Sequence, residues 1–158
     1  MADQTTERSV QHHTFSIERT YKASPARVFA AFTTKEAKLQ WFGGPDDWPE
    51  GEYSLDFRVG GSETWSGGPP GGGLTIALDQ RFWDIVPDQR IVTTYTMDAN
   101  GERMSVSLVT YTFEPSGSGT RLTLTEAGAF LDAKDTPDER ERGTRELLES
   151  LAKYVDGG

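Results

Sequence analysis

The sequence contains no cysteine, which excludes disulfide bonds, thiolate metal sites and a cysteine nucleophile. It also lacks an apolar run near the ~20 residues that a membrane-spanning helix needs, and its first thirteen residues lack the apolar segment of a signal peptide. We therefore expect a cytoplasmic protein. Positive charge is scarce as well, because the formal net charge is -9. This charge argues against binding to nucleic acid or to an anionic membrane.

Residues typical of metal, nucleotide and triad chemistry are also few. The two histidines, His12 and His13, are adjacent and would point to opposite faces of a strand, so they make a poor pair of metal ligands. We assign both to a loose N-terminal arm at residues 1–13. No Gly-x-Ser-x-Gly motif is present. The glycine-rich stretch at 67–73 lacks the Gly-Lys-Ser/Thr ending of a phosphate loop. We therefore predict no metal and no cofactor, and we interpret residues 67–73 as a plain connection or as a mobile lid.

The chain nevertheless has the composition of a globular protein. Its 158 residues are 35% hydrophobic and 11% aromatic, which is enough for a single domain with a real core. We place this domain at residues 14–156. The sequence therefore predicts one folded unit.

The strongest local signal is the segment 136–155, which predicts a long C-terminal helix. Thr136 is a favourable N-cap, Pro137 suits the first helical position, and Glu139 is placed to close a capping box on the Thr136 amide. Apolar residues then recur at the spacing of one helical face: Leu147, Leu148, Leu151, Ala152 and Val155. The second half of the helix should therefore pack in the core.

The same helical face becomes small or polar toward the N-terminus, at Arg140, Gly143 and Thr144. A glycine in a helix interior costs about 1 kcal/mol relative to alanine, so Gly143 needs a spatial reason. Either the helix borders a cavity there, or it makes a close contact with a sheet. We expect residues 140–144 to be the end of the helix that faces a cavity.

The rest of the chain predicts one strand, two short helices and a meander of about six strands. Strands are indicated by alternating apolar residues, and turns by glycine, proline and asparagine, with Asn100-Gly101 the clearest hairpin signal. We predict strands at 14–21, 53–59, 63–65, 74–86, 90–97, 104–113 and 120–129, with helices starting at Pro25 and Lys35. An antiparallel sheet covered by one long helix is an α+β fold.

Several short motifs in this order resemble the START-like helix-grip superfamily. They are Arg58-Val59-Gly60-Gly61 after a strand, Trp83-Asp84-Ile85-Val86-Pro87, Gly119-Thr120-Arg121-Leu122-Thr123-Leu124, and a closing helix that contains Gly143. Within the superfamily, the chain is similar to the bacterial proteins named after the activator of the heat-shock protein 90 ATPase. The resemblance implies a curved sheet of about seven strands wrapped around the C-terminal helix. It also implies a cavity that in relatives holds hydrophobic or amphipathic molecules.

Alternation of side chains supplies the candidate ligand-binding residues. We expect bulky side chains from the strands and the cavity-facing end of the helix to line the cavity: Trp65, Trp83, Tyr95, Met97, Tyr111, Phe113, Gly143, Thr144 and Leu147. Arg81 and Glu126 are the candidate polar anchors. The sequence does not decide which face of strand 74–86 lines the cavity, because Arg81 and Trp83 share one parity while Leu78 and Phe82 share the other. A bulge between Asp79 and Arg81 would reconcile the two.

Three functions remain open on this basis. The first is binding of a hydrophobic small molecule, and the second is a cyclase-like or hydratase-like enzyme that uses Glu126 or Arg81 inside the cavity. The third is an interaction protein that acts on a chaperone, as the family name suggests, although no exposed apolar run marks such a surface.

Overall fold

The computed structural model describes residues 7–157, which form seven strands and three helices. In chain order the elements are β1 (Val10–Tyr21), α1 (Pro25–Ala30), α2 (Lys35–Lys38), β2 (Glu52–Leu55), β3 (Ser62–Gly67), β4 (Ile76–Val86), β5 (Arg90–Ala99), β6 (Glu102–Ser116), β7 (Gly119–Leu131) and α3 (Pro137–Asp156). No helix among residues 7–157 is long and apolar enough to cross a membrane.

All seven strands belong to one curved antiparallel sheet with the order β1-β7-β6-β5-β4-β3-β2. Strands β2 to β7 are joined as a meander, and β1 closes the far edge by pairing along its whole length with β7. The helix α3 covers the inner face of the sheet, where Tyr21 donates a hydrogen bond to the Leu148 carbonyl at 3.1 Å. This confirms the predicted α+β helix-grip architecture.

The first strand begins earlier than the sequence predicts. It starts at Val10 instead of Thr14, and His12 and His13 pair with Ala129 and Gly128 of β7. The assignment of both histidines to a loose arm is therefore wrong. Their side chains are exposed, so the apolar alternation that marks a half-buried strand starts only at Phe15. Residues 1–6 of the predicted arm lie outside the described residues.

The irregularity predicted in β4 exists, but it lies closer to the C-terminus. The pairing of β4 with β5 shifts between Phe82 and Asp84, so Trp83 is the extra residue of a β-bulge. Before it, the even-numbered Leu78 and Phe82 face inward; after it, Ile85 packs against the core. One inserted residue exchanges the two faces of a strand, which explains why no single parity fits residues 74–86.

Only one of the two capping-box hydrogen bonds predicted at the N-terminus of α3 is present. Thr136 accepts a hydrogen bond from the Glu139 amide at 3.1 Å, and Pro137 occupies the first turn. The Thr136 amide, however, donates to Asp135 Oδ1 at 2.8 Å, so Asp135 takes the role predicted for the Glu139 side chain. Glu139 is thereby left exposed at the surface.

The core fills one end of the space between the sheet and α3. There Phe29 of α1 and Phe32, which follows that helix, make edge-to-face contacts with Phe113 of β6, at 5.4 and 5.5 Å between ring centroids. Leu151 of α3 is fully buried against this cluster. The other end of the same space, toward the start of α3, is open.

Candidate functional site

A cavity of about 730 Å³ occupies the open end of the space between the sheet and α3. Its floor is the inner face of β4 to β7, and one side is the cavity-facing half of α3 from Glu139 to Ser150. The opposite side is the segment 38–46, which begins at the last residue of α2. The cavity therefore has its walls on three different parts of the chain.

Alternation along the strands explains which side chains reach the floor. Inward-facing residues of four neighbouring strands line it in pairs: Leu78 and Gln80, Tyr95 and Met97, Val109 and Tyr111, Leu124 and Glu126. The register places Gln80 opposite Tyr95, and Tyr111 opposite Leu124. Apolar and polar side chains thus alternate across the floor, as in small-molecule sites that combine apolar contact with a few polar anchors.

One buried polar cluster joins α3 to the floor through Arg140 and Glu126. Arg140 is 7% and Glu126 2% exposed, and Nη1 of Arg140 lies 3.2 Å from Oε2 of Glu126. Tyr95 donates to the same oxygen at 2.6 Å, and so does Ser107 at 2.7 Å. The second guanidinium nitrogen, Nη2, lies 2.7 Å from Asp135 Oδ2. Arg140 is therefore held between two carboxylates.

Oxygen Oε1 of Glu126 differs from Oε2, because every side-chain hydrogen bond to Glu126 among residues 7–157 is made to Oε2. Glu126 lines the cavity, and its Oε1 is accessible. An ionised carboxylate oxygen only accepts hydrogen bonds. The cavity floor therefore offers one free acceptor next to a fully bonded one.

A second buried polar cluster lies at the other side of the cavity, around Glu63 of β3. The carboxylate of Glu63 is fully buried and lies 2.9 Å from Lys38 Nζ. It also accepts hydrogen bonds from Tyr53 and Gln80, each at 2.6 Å. Burial and the adjacent Glu63 carboxylate raise the pKa of Tyr53, so its hydroxyl stays a donor. Two members of this cluster, Lys38 and Gln80, also line the cavity.

Tyr111 lies between the two clusters. Burial raises its pKa, and the carboxylates of Glu63 and Glu126 raise it further. Burial and Glu126 likewise raise the pKa of Tyr95 well above its ordinary value. Unlike Tyr95, Tyr111 has a hydroxyl that makes no hydrogen bond to any other described residue. The cavity wall thus carries two polar groups without a partner among the described residues, the neutral hydroxyl of Tyr111 and Oε1 of Glu126.

The helix side of the cavity contains three residues predicted from the sequence: Gly143, Thr144 and Leu147. A Cβ atom added at Gly143 would meet no atom within 4 Å, so the alternative of a close contact between helix and sheet is wrong. Open space lies there instead. Thr144 donates to the Arg140 carbonyl at 2.9 Å, which satisfies its hydroxyl within the helix.

The strand residues predicted to line the cavity divide into two groups. Tyr95, Met97, Tyr111 and Glu126 lie on its wall. Trp65, Trp83, Phe113 and Arg81 do not, and for these four the expected position is corrected.

Each displaced residue has a local reason. Trp65 is buried in β3, next to the edge strand β2, where it stacks on Trp48 with ring centroids 6.5 Å apart. Phe113 belongs to the aromatic core around α1. The β-bulge leaves Trp83 on the outer face, where it is 56% exposed and donates to Thr94 at 2.8 Å. Arg81, which shares that parity, is exposed there as well.

Sequence reasoning missed three charged residues of the site as anchors: Lys38, Glu63 and Arg140. Arg140 had a signal, since it lies on the helical face that we assigned to the cavity. Lys38 and Glu63 had none, because their pairing depends on the docking of α2 onto β3. The predicted lid at 67–73 does not line the cavity; the segment 39–46 borders it instead.

The residues of the site are suited to hydrogen bonding and apolar contact. Within residues 7–157, no group of three or more histidine, aspartate or glutamate side chains is arranged to hold a metal ion. The two buried carboxylates are each bonded to a cation and to neutral donors. The geometry is thus that of a pocket with fixed polar groups on an aromatic and aliphatic wall.

Comparison with known proteins identifies relatives over nearly the whole chain. The model of the family described as Activator of Hsp90 ATPase homolog 1-like protein matches residues 22–156. The crystal structure of the Mll3558 protein from Rhizobium loti is 52% identical, covers 93% of this chain and 99% of its own, and has a TM-score of 0.85.

Two further structures extend this similarity. An uncharacterized protein from Rhizobium leguminosarum is 40% identical over 97% of this chain and 100% of its own, with a TM-score of 0.91. The protein CV1439 from Chromobacterium violaceum is 26% identical over 90% of this chain and 96% of its own, with a TM-score of 0.75. No curated protein matches the chain significantly.

Proposed function

The chain belongs to the family of Activator of Hsp90 ATPase homolog 1-like proteins, and we propose that it binds a hydrophobic or amphipathic small molecule between the sheet and α3. The observation that carries this proposal is the cavity of about 730 Å³. Protein interiors are close-packed, and unfilled space is destabilising. A space of this size falls within the roughly 300 to 1,000 Å³ of small-molecule sites, which favours a ligand as its reason.

The lining supports the same proposal. Aromatic and aliphatic side chains from the strands and from segment 38–46 provide apolar contact, among them Trp41, Phe42, Met97 and Tyr111. The polar groups on the floor are held in place by buried hydrogen bonds, as at Glu126 and Arg140. Fixed polar groups orient a ligand without the cost of ordering them on binding.

Gly143 supports it from the helix. Alanine would be about 1 kcal/mol better for the helix, and no packing contact opposes a Cβ atom there. The glycine therefore keeps space open at the cavity wall at the expense of helix stability. A ligand-binding role gives that space a use.

Native mass spectrometry of freshly purified protein tests this function directly. We expect a co-purified small molecule, and we expect it or a screened apolar compound at 100 times its Kd to stabilise the fold by about 2.7 kcal/mol. In a domain of this size, that corresponds to a rise in Tm of about 5 to 11 °C.

Two helix variants make the test specific to the cavity. Gly143→Leu should fill the space and abolish the thermal shift. Arg142→Leu introduces the same side chain at the exposed neighbouring position, outside the cavity lining, and should keep the shift. Equal shifts in both variants would place binding elsewhere and contradict the proposal.

A second candidate is an enzyme of the cyclase or hydratase type, favoured by the ionisable Glu126 at the cavity wall. The test is to incubate the co-purified or screened ligand with the protein and to follow its mass and chromatographic mobility. Conversion that is lost in Glu126→Gln would support this candidate, whereas an unchanged ligand would leave binding as the function.

A third candidate is an interaction with a chaperone ATPase, which the description of the family suggests. One observation favours an interaction surface: Trp83, Val106 and Leu108 are 42 to 56% exposed on the outer face of the sheet. Stimulation of the ATPase of heat-shock protein 90 by the purified protein, and its loss in Trp83→Ser, would support this role. Equal ATPase rates with and without the protein would remove it.

A further inference from the structure

The border of the cavity is acidic, and none of the exposed lining residues in the described part of the chain is a cation. Asp46, Glu139 and Glu146 line the cavity and are exposed. None of the three forms an ion pair with another residue in the described part of the chain. Charges of one sign at the border of a low-dielectric cleft attract ligands of the opposite charge and repel those of the same sign.

The two cations at the cavity do not offset this charge, because both are already paired. Arg140 lies between Glu126 and Asp135, and Lys38 is bonded to both oxygens of Glu63 at 3.1 and 2.9 Å. The charge of each cation is therefore already compensated by a buried carboxylate, and an anionic ligand would gain little from either unless it broke one of these pairs. Breaking a buried pair leaves an uncompensated charge, so carboxylates and phosphates are poor ligands here.

An independent observation inside the cavity also favours a cationic ligand. Oε1 of the buried Glu126 has no partner among residues 7–157, and it belongs to a carboxylate at the cavity wall. Tyr111 is a diagonal neighbour of Glu126 on the inner face of β6 and β7. Its hydroxyl makes no hydrogen bond among the described residues and can also accept one. The free groups on the floor thus match a donor, and the most favourable donor for a carboxylate is a cation.

We propose that the ligand carries a protonated amine on an apolar body, with the ammonium group donating to Glu126 Oε1 and Tyr111. This inference rests on the proposed binding function and names the class of ligand. An ammonium group has three donors and no acceptor, so it can satisfy both oxygens at once. The aromatic face of Tyr111 adds cation–π attraction, and the acidic border increases the local concentration of such a ligand.

The experiment compares matched head groups on three apolar bodies. Octyl, naphthylmethyl and adamantylmethyl compounds are each titrated as amine, alcohol and carboxylic acid into the full chain by calorimetry at low salt. We expect each amine that binds to do so at least tenfold more tightly than its alcohol, and the acid to bind least. Added salt should narrow the difference between amine and acid, because it screens the exposed border charges.

The outcomes separate this inference from the binding function. An alcohol or an acid that binds as tightly as its amine overturns the amine proposal while leaving the cavity as a binding site. If none of the nine compounds binds, both the amine proposal and the binding function fail. Tighter binding of the amines on at least one body supports both.

Substitutions test which residues recognise the amine group of the ligand. Glu126→Gln should reduce the preference for amine over alcohol about tenfold. Because that variant alters a buried cluster, the exposed pair Glu139→Gln/Glu146→Gln gives a second test, and it should lower the ratio of amine to acid affinity at least threefold. The matched pair Glu141→Gln/Glu149→Gln makes the same change of charge on α3 outside the lining and should not. Equal effects of the two pairs would overturn the role of the border.

Discussion

The ammonium group of Lys38 lies 2.9 Å from Glu63 Oε2, and the two side chains are 5% and 0% exposed. This ion pair links α2 to β3 beneath the segment that borders the cavity. The ammonium also lies 4.8 Å from the ring centroid of Phe42 and 5.1 Å from that of Trp41. The pair thereby fixes a cavity wall whose own backbone forms neither helix nor strand beyond Lys38.

Lys38→Met should therefore destabilise the fold strongly. It leaves the Glu63 carboxylate buried without a cation, which costs about 3 to 5 kcal/mol. The double variant Lys38→Met/Glu63→Gln should recover much of this loss, because the uncompensated charge is gone and an amide can still bond to Tyr53 and Gln80. Urea unfolding of the wild type, both single variants and the double variant measures the coupling.

An exposed ion pair provides the control. Arg145 and Glu141 on α3 lie 2.8 Å apart with Arg145 more than half exposed, so Arg145→Met should cost less than about 1 kcal/mol. A loss in Lys38→Met no greater than in Arg145→Met would mean that Lys38 is not buried with Glu63 in solution.

The architecture was predictable because its signals are local. Asn100 and Gly101 have φ values of 50° and 81°, the left-handed backbone that an Asn-Gly hairpin requires. Thr136 and Pro137 begin α3 as predicted. Glu126 follows Leu122 and Leu124 at the spacing of two residues that marks one face of a strand, and all three are buried.

The site was predictable only where it follows from such periodicity. Tyr95, Met97 and Tyr111 were placed correctly because the alternation is unbroken from Ile91 to Met97 and around Tyr111, whereas Trp83 was misplaced by a bulge that no periodicity reveals. Lys38 and Glu63 are 25 residues apart, and their contact arises from tertiary packing. The charge pairing that determines the character of the cavity therefore required the structure.

Gly143→Ala should stabilise the protein. Alanine is about 1 kcal/mol more favourable in a helix interior, and its Cβ would meet no atom within 4 Å. Urea unfolding should show a gain of up to about 1 kcal/mol. Gly128→Ala is the matched contrast, because its Cβ would lie 2.8 Å from a ring carbon of Phe130 and 3.0 Å from Ser107 Oγ. A loss of stability in Gly143→Ala would show that the helix packs closely there after all.

Stability should fall at alkaline pH because of the buried tyrosines. Burial raises the pKa of Tyr21, Tyr53, Tyr95 and Tyr111 above the ordinary value of 10.0. A pKa that is higher in the folded than in the unfolded state contributes stability that is fully present below the unfolded pKa. That stability is lost as pH rises through about 10 toward the folded pKa.

The measurement is the free energy of unfolding in urea between pH 8 and 11, with tyrosinate absorbance near 295 nm recorded in parallel. These four tyrosines should ionise only as the protein unfolds. Tyr111→Phe, which removes a hydroxyl without a partner among the described residues, should reduce the slope of stability against pH by about a quarter. Gradual ionisation of all five tyrosines near pH 10 in folded protein would contradict the burial of these side chains.

The two halves of α3 should respond differently to substitution. Leu151 is fully buried in the core, so Leu151→Ala should cost about 2 to 5 kcal/mol and leave the affinity of the remaining folded protein for a cavity ligand unchanged. Thr144 lines the cavity, so the indole ring of Thr144→Trp enters open space. We expect that variant to lose less stability than Leu151→Ala and at least tenfold in ligand affinity, by urea unfolding and calorimetric titration. Equal losses of stability would mean that the start of α3 has no room for an added side chain.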